Sequence, residues 1–155
     1  MRKLACAFAI VLASVTAVRA QTAADSAAIR ATALDYVEGW YAGDAARMER
    51  SLHPDLAKRI VRNNAEGVSQ LGHQGAGTLI GYTKNGGGKN TPAAQQIKDV
   101  KILDIFRNTA SVRAEMSGWI DYMHIAKWNG EWKIVNVLWQ APPRTSPGRT
   151  PDTPD

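Results

Sequence analysis

Apolar positions recur with a helical period through the first third of the chain. Between Ser26 and Ala42, residues Ile29, Ala33, Tyr36, Val37, Trp40 and Tyr41 fall on one face, predicting an amphipathic helix. Asp25 or Ser26 can cap its start, and Gly43 can end it in the left-handed conformation that helix ends favour. Asp44 then suits the N-cap of a second short helix, AARMERSL, which ends near His53-Pro54. A tight helix pair is expected. Leu56 to Arg62 reads as a strand in preference to a continued helix, and Thr78 to Lys84 as a short third helix stopped by Gly86, Gly87 and Gly88.

From Ile97 onward the period shortens to two. Ile97 to Phe106 alternates, and Arg107-Asn108-Thr109 has the composition of a turn. Residues 110–128 would make a strand far longer than ordinary ones, so Gly118 is expected to divide them by a bulge or bend. Asn129-Gly130 is the strongest local signal, a two-residue hairpin turn of the primed type, and Glu131 to Gln140 returns as the final strand. Counted from that turn without interruption, Met123 faces Asn136, Asp121 faces Leu138 and Trp119 faces Gln140. One face then carries Trp119, Asp121, Met123, Ile125, Trp132, Ile134, Asn136 and Leu138. The other carries Ile120, Tyr122, His124, Ala126, Val135, Val137 and Trp139. Neither is polar throughout, so both should be covered, one by helices and the other by a second copy of the chain. The expected fold is α+β, with two to three N-terminal helices packed on a strongly bent antiparallel sheet that leaves a conical space.

The two ends have a different character. Residues 1–20 begin with Arg2 and Lys3, continue through an apolar run and finish Val18-Arg19-Ala20, the pattern of a secretory signal peptide. The run is shorter than the ~20 apolar residues of a membrane span, and Cys6 precedes most of it, which argues against a lipoprotein. Export to the periplasm or the exterior is therefore expected, with no membrane attachment after cleavage. Cleavage would remove the only cysteine, leaving no disulfide or thiol chemistry in a domain spanning residues 21–141. Arg2, Lys3 and Arg19 also account for three of the +5 net charge, leaving +2. With no basic stripe interleaved with aromatics, nucleic acid is not an expected partner. Residues 142–155 hold five of the seven prolines and no apolar side chain, the composition of a disordered tail.

Few residues offer chemistry. The glycines before Lys89 do not form a phosphate loop, because Thr83 stands where its first glycine belongs and Asn90 follows the lysine. No metal-ligand spacing surrounds His53 or His124, and no cofactor is implied. Asp121 and Asn136 are the two polar groups on the Trp-bearing face, beside Met123. If that face is concave, they can bind a ligand's donors and acceptors while Trp40, Trp119 and Trp132 stack on it. The alternative is that Asp121 bonds a backbone amide or a basic side chain and that the aromatic residues are core. A buried Asp121 needs a partner or a raised pKa. His124 lies opposite Asp121 in this register, so the two should not form a dyad. Lys58 and Arg59 read as a solvated face.

The order of helix, Ala42-Gly43-Asp44, helix and bent sheet ending in a Trp-rich strand resembles the nuclear transport factor 2-like superfamily. The segments SLHPDLAKR and DYMHIAKWNGEWKIVNVLW resemble more narrowly its lumazine-binding branch. The superfamily includes ketosteroid isomerases, polyketide cyclases and dehydratases, and members without known catalysis. The isomerases place a tyrosine eight residues before the aspartate of Ala-Gly-Asp, and Tyr36 stands at that spacing from Asp44. Their aspartate base, placed shortly after the second helix, has no counterpart, since no carboxylate lies between Asp55 and Glu66. Steroid-type isomerisation is therefore not expected. The resemblance implies a pocket for a small, partly aromatic ligand, with Tyr36, Trp40, Trp119, Asp121, Met123 and Asn136 as candidate contacts. The alternatives are a cyclase-, dehydratase- or isomerase-like enzyme using Tyr36, Asp121 or His124, and a homodimeric assembly module with a vestigial pocket.

Overall fold

A computed structural model describes residues 23–141. The expected signal peptide (residues 1–20) and Pro-rich tail (residues 142–155) lie outside the described residues.

The first helix, α1, runs through residues 23–42 and buries Ile29, Ala33, Tyr36, Val37 and Tyr41, the face that the spacing indicates. It is already helical ahead of Ser26, so neither proposed residue caps it there. The Asp25 carboxylate instead accepts from Lys127 Nζ (2.9 Å) and Trp132 Nε1 (3.1 Å), tying the helix to the sheet. Gly43 turns the chain at φ 64°. Asp44 caps α2 (Ala45–Ser51) by accepting from the Arg47 N–H at 3.0 Å. Asp35 takes Arg47 and Arg50 of α2 at 2.8 and 2.9 Å, which fixes the angle between the two helices.

The chain then enters β1 (Leu52–Asn63), which forms a hairpin with β2 (Ser69–Gln74). Next comes α3 (Ala76–Lys84), followed by one 3-10 turn at Ala93–Gln95. The rest is a meander of β3 (Lys98–Phe106), β4 (Thr109–Met116), β5 (Trp119–Trp128) and β6 (Glu131–Gln140). The six strands form one curled sheet in the order β2-β1-β6-β5-β4-β3. All neighbours are antiparallel except β1 and β6, which run parallel. Gly118, at φ 102°, divides residues 110–128 by a full reversal, closing a hairpin with Ser117. The Tyr41 hydroxyl supports that turn by accepting from the Ser117 N–H at 2.8 Å.

The Asn129-Gly130 turn forms as expected, with φ 49° and 86°. The register counted from it holds only as far as Ile125 opposite Ile134. Beyond that pair His124 faces Asn136, so Val135 is unpaired in a β-bulge. The neighbouring strand is irregular at the same level: β1 pairs Leu52 with Ile134 and next Ala57 with Asn136. Pro54, which has no N–H to give a ladder, lies in that gap. Past the bulge the two faces of β6 exchange. Met123 opposes Val137 and Asp121 opposes Trp139, whereas Asn136 and Leu138 turn to the outer face.

The inner face therefore carries Trp119, Asp121, Met123, Ile125, Trp132, Ile134, Val137 and Trp139. With α1 and α2 it builds the core, in which Ile29, Val37, Met48, Val112, Ile134 and Val137 are wholly enclosed. Each such side chain contributes roughly 1.5–3 kcal/mol.

Candidate functional site

One part of the concave face is not filled. Trp40, near the end of α1, is held by the glycine run that follows α3. Its carbonyl accepts from the Gly88 N–H at 2.9 Å, and a Cβ on Gly88 would stand 2.6 Å from its indole Nε1. That close approach is what Gly87 and Gly88 provide, a Cβ on Gly87 likewise falling 2.6 Å from the Trp40 carbonyl oxygen. Trp40 meets Trp119 edge-on at 5.6 Å between centroids, and Trp119 meets Trp139 at 6.4 Å. These three rings, with Tyr36, Leu79 and Tyr82, enclose a cleft of about 120 Å³ that has Lys58 and Gln74 at one end. A wider cleft of about 390 Å³ continues from it between β1, β2 and α3, sharing Lys58, Gln74, Tyr82 and Trp139 and reaching Ile60, Arg62 and Gly72. Strand pairing explains the opening. On the edge strand β2, Gly72 lies opposite Ile60 and Gln74 opposite Lys58, so no large apolar side chain closes that end.

Behind the aromatic wall sits a buried polar triad. Asp121 is fully enclosed and both its oxygens are engaged. Oδ2 accepts from the Tyr36 hydroxyl at 3.0 Å and Oδ1 from Lys58 Nζ at 2.5 Å. Lys58 Nζ also donates to the Tyr36 oxygen at 2.7 Å. The three residues come from α1, β1 and β5 and satisfy one another, as buried charges require. Burial pushes the Lys58 ammonium pKa down, with the Asp121 charge opposing it. Burial and then the adjacent Asp121 charge hold the Tyr36 phenol well above its ordinary value. Lys58 is thus not part of a solvated face: it is 4% exposed.

Two polar atoms in this region have no partner among the described residues. Gln74 Oε1 and Trp139 Nε1 are both buried, and neither makes a hydrogen bond. A buried group left in that state costs roughly 1–3 kcal/mol.

Of the residues singled out from sequence, Tyr36, Trp40 and Trp119 line the cleft. Asp121 lies behind Tyr36 and Lys58 and is bonded to both. Met123 is enclosed in the core at 1% exposure. Asn136 is on the outer face because of the bulge, accepting from Arg59 Nη1 at 3.1 Å and lying 3.3 Å from His124 Nδ1. Trp132 is core as well, with its indole N–H given to Asp25. His53 stacks edge-on against Trp128. Lys58, Gln74, Leu79, Tyr82 and Trp139 were not foreseen as cleft residues. A signal existed for Lys58, which alternates with Leu56 and Ile60 on one face of an apolar strand. Among the described residues no group of three or more His, Cys, Asp or Glu side chains converges as a metal site would. No helix among them is long and apolar enough to cross a membrane.

Helices laid over a curled six-stranded sheet, with an aromatic cleft between them, give this chain the fold of nuclear transport factor 2-like proteins. Residues 24–140 match the family described as "Putative lumazine-binding", and the chain belongs to that family. An NTF-2-like protein of unknown function from Silicibacter pomeroyi DSS-3 has a similar fold, with a TM-score of 0.60 and 18% identity over 78% of this chain and 98% of the other. An NTF2-like protein with a cystatin-like fold from Novosphingobium aromaticivorans gives a TM-score of 0.61 and 11% identity over 85% and 91%. A third, an NTF2-like protein of unknown function from Shewanella baltica OS155, gives 0.58 and 17% over 78% and 96%. At such identities the likeness extends to the fold alone. No curated protein matches the chain.

Proposed function

We propose that this is an exported binding protein that holds a small, partly aromatic molecule in the cleft between α1, α3 and the sheet, without catalysing a reaction on it. The observation that carries the reading is an aromatic cleft whose buried acid and base are committed to each other. A proton-transfer catalyst must present its base to the substrate, and both oxygens of Asp121 are already occupied. The rings of Trp40, Trp119 and Trp139 offer the flat apolar walls that small-molecule sites use. The family description, which names lumazine, a planar heterocycle, agrees with this reading.

Native mass spectrometry of the protein purified from its own host tests it. A retained small molecule is the expected result. A ligand-free protein whose tryptophan fluorescence also fails to respond to lumazine and other planar heterocycles would defeat the proposal. The same spectra test export, since the exported chain should begin at Gln21.

A catalytic reading draws on one observation, the 2.7 Å contact between Lys58 Nζ and the Tyr36 oxygen at the cleft wall. It requires Asp121→Asn to abolish turnover of a bound molecule while the fold persists. The same proposal includes a homodimer formed through the outer face of the sheet. There Tyr122 and Leu138 oppose each other at 50% exposure each, and Phe106 is 68% exposed. Sedimentation equilibrium should report a dimer, and a monomer at high concentration would remove this part.

A further inference from the structure

The cleft is asymmetric in its chemistry, and its two ends ask for different groups. Lys58, Ile60 and Arg62 alternate along β1 and all border the wider cleft, with Lys58 at its inner end and Arg62, an exposed residue, at its mouth. Lys58 Nζ and the Arg62 guanidinium each lie 5.2 Å from the Trp139 ring centroid, so the two cations flank one aromatic wall and stand no more than about 10 Å apart.

At the mouth the Arg62 guanidinium lies 5.2 Å from the Trp139 ring centroid and has no carboxylate partner among the described residues. Trp139 Nε1, on the ring that both cations flank, is a buried donor without an acceptor among the described residues. No aspartate or glutamate borders either cleft. The mouth therefore offers donors and uncompensated positive charge. At the inner end the Lys58 ammonium has three N–H groups, two of them taken by Tyr36 and Asp121. Gln74, paired with Lys58 across the hairpin, presents a buried acceptor without a donor. That end requires a group which both gives and receives a hydrogen bond, and a hydroxyl does both.

We infer that the cleft selects a planar hydroxyaryl acid in its anionic form. Its carboxylate accepts from Arg62 and Trp139 Nε1 at the mouth, and its ring lies among the tryptophans. Its hydroxyl donates to Gln74 Oε1 and accepts from Lys58 at the inner end. This rests on the binding reading above and specifies the ligand class.

Calorimetric titration of the mature protein with para-hydroxybenzoate, para-hydroxybenzamide and benzoate tests it. The hydroxy acid should bind at least about tenfold tighter than either analogue, since each analogue leaves one end unmatched. Arg62→Gln should collapse the preference for acid over amide, and Gln74→Leu the preference for hydroxybenzoate over benzoate. Equal binding of the three probes to the unmodified protein overturns the inference and leaves the cleft reading standing. So does a preference that survives Arg62→Gln. Failure of all three, and of lumazine, to bind defeats both.

Discussion

The concave face has two halves built on one curled sheet. Under α1, strands β3, β4 and β5 bring up Val100, Val112, Ala114, Met116, Met123 and Ile125, all buried. Beside it, under the nine-residue α3, strands β1 and β2 bring up Lys58, Ile60, Gly72 and Gln74, and a cleft remains. Backbone curvature is common to both halves, so it does not by itself make the site. What differs is the volume and polarity of the side chains placed along each strand, and the length of the helix laid over them. Apolar side chains at most of the inward positions close the cone. A glycine and two polar groups near the edge keep it open, and the Tyr36–Asp121–Lys58 triad marks the boundary.

The largest expected effect comes from breaking that boundary. Asp121→Leu should destabilise the protein by about 3–5 kcal/mol, because the Lys58 ammonium is left buried without its partner. Adding Lys58→Met should restore most of the loss in chemical denaturation. If the single and double variants are equally unstable, the triad is not an ion-paired unit. Within the closed half, Met123→Ala should cost about 2–5 kcal/mol by opening a cavity, while probe affinity in the cleft stays unchanged. An equal loss of affinity would show that the halves are not independent.

In the open half the sign reverses. Gln74→Leu removes a buried acceptor without a donor and should raise the stability of the ligand-free protein by about 1 kcal/mol. A denaturation midpoint below that of the unmodified protein would contradict this. The smallest effect is in pH dependence. A phenol held above its ordinary 10.0 by folding keeps its proton after the unfolded chain has lost it. Its contribution is therefore complete below pH 10.0 and falls away as pH rises toward the folded value. Lys58, shifted downward, acts in the opposite sense just below 10.5. Tyr36→Phe isolates the tyrosine term: it should flatten the alkaline loss of stability and remove the last step of tyrosinate absorbance. An unchanged profile would place the late titration elsewhere.

Much of the fold was legible in the sequence because its signals are local. The helical spacing from Ile29 to Tyr41, Gly43-Asp44 and Asn129-Gly130 each act over a few residues, and each forms as expected. The resemblance carried by SLHPDLAKR and the last hairpin supplied the rest of the architecture. The site was only partly legible. Tyr36, Trp40 and Trp119 line the cleft, and their positions depend only on α1 and on the start of β5. Asn136 and Trp139 were exchanged, because one unpaired residue between them and the turn resets the alternation. Lys58 was misread because its counter-ion is sixty-three positions away on β5, and nothing near Lys58 in the chain announces it.

That unpaired Val135 acts as a parity setting for the last stretch of polypeptide. Were it deleted, the composition of the strand would barely change, yet Trp139 would look outward and Leu138 inward, trading an indole for an isobutyl group in the ligand's wall. A relative aligned without a gap at this point would have every later position of its terminal strand assigned to the wrong side. Comparing specificities across such chains must begin by counting residues through the kink.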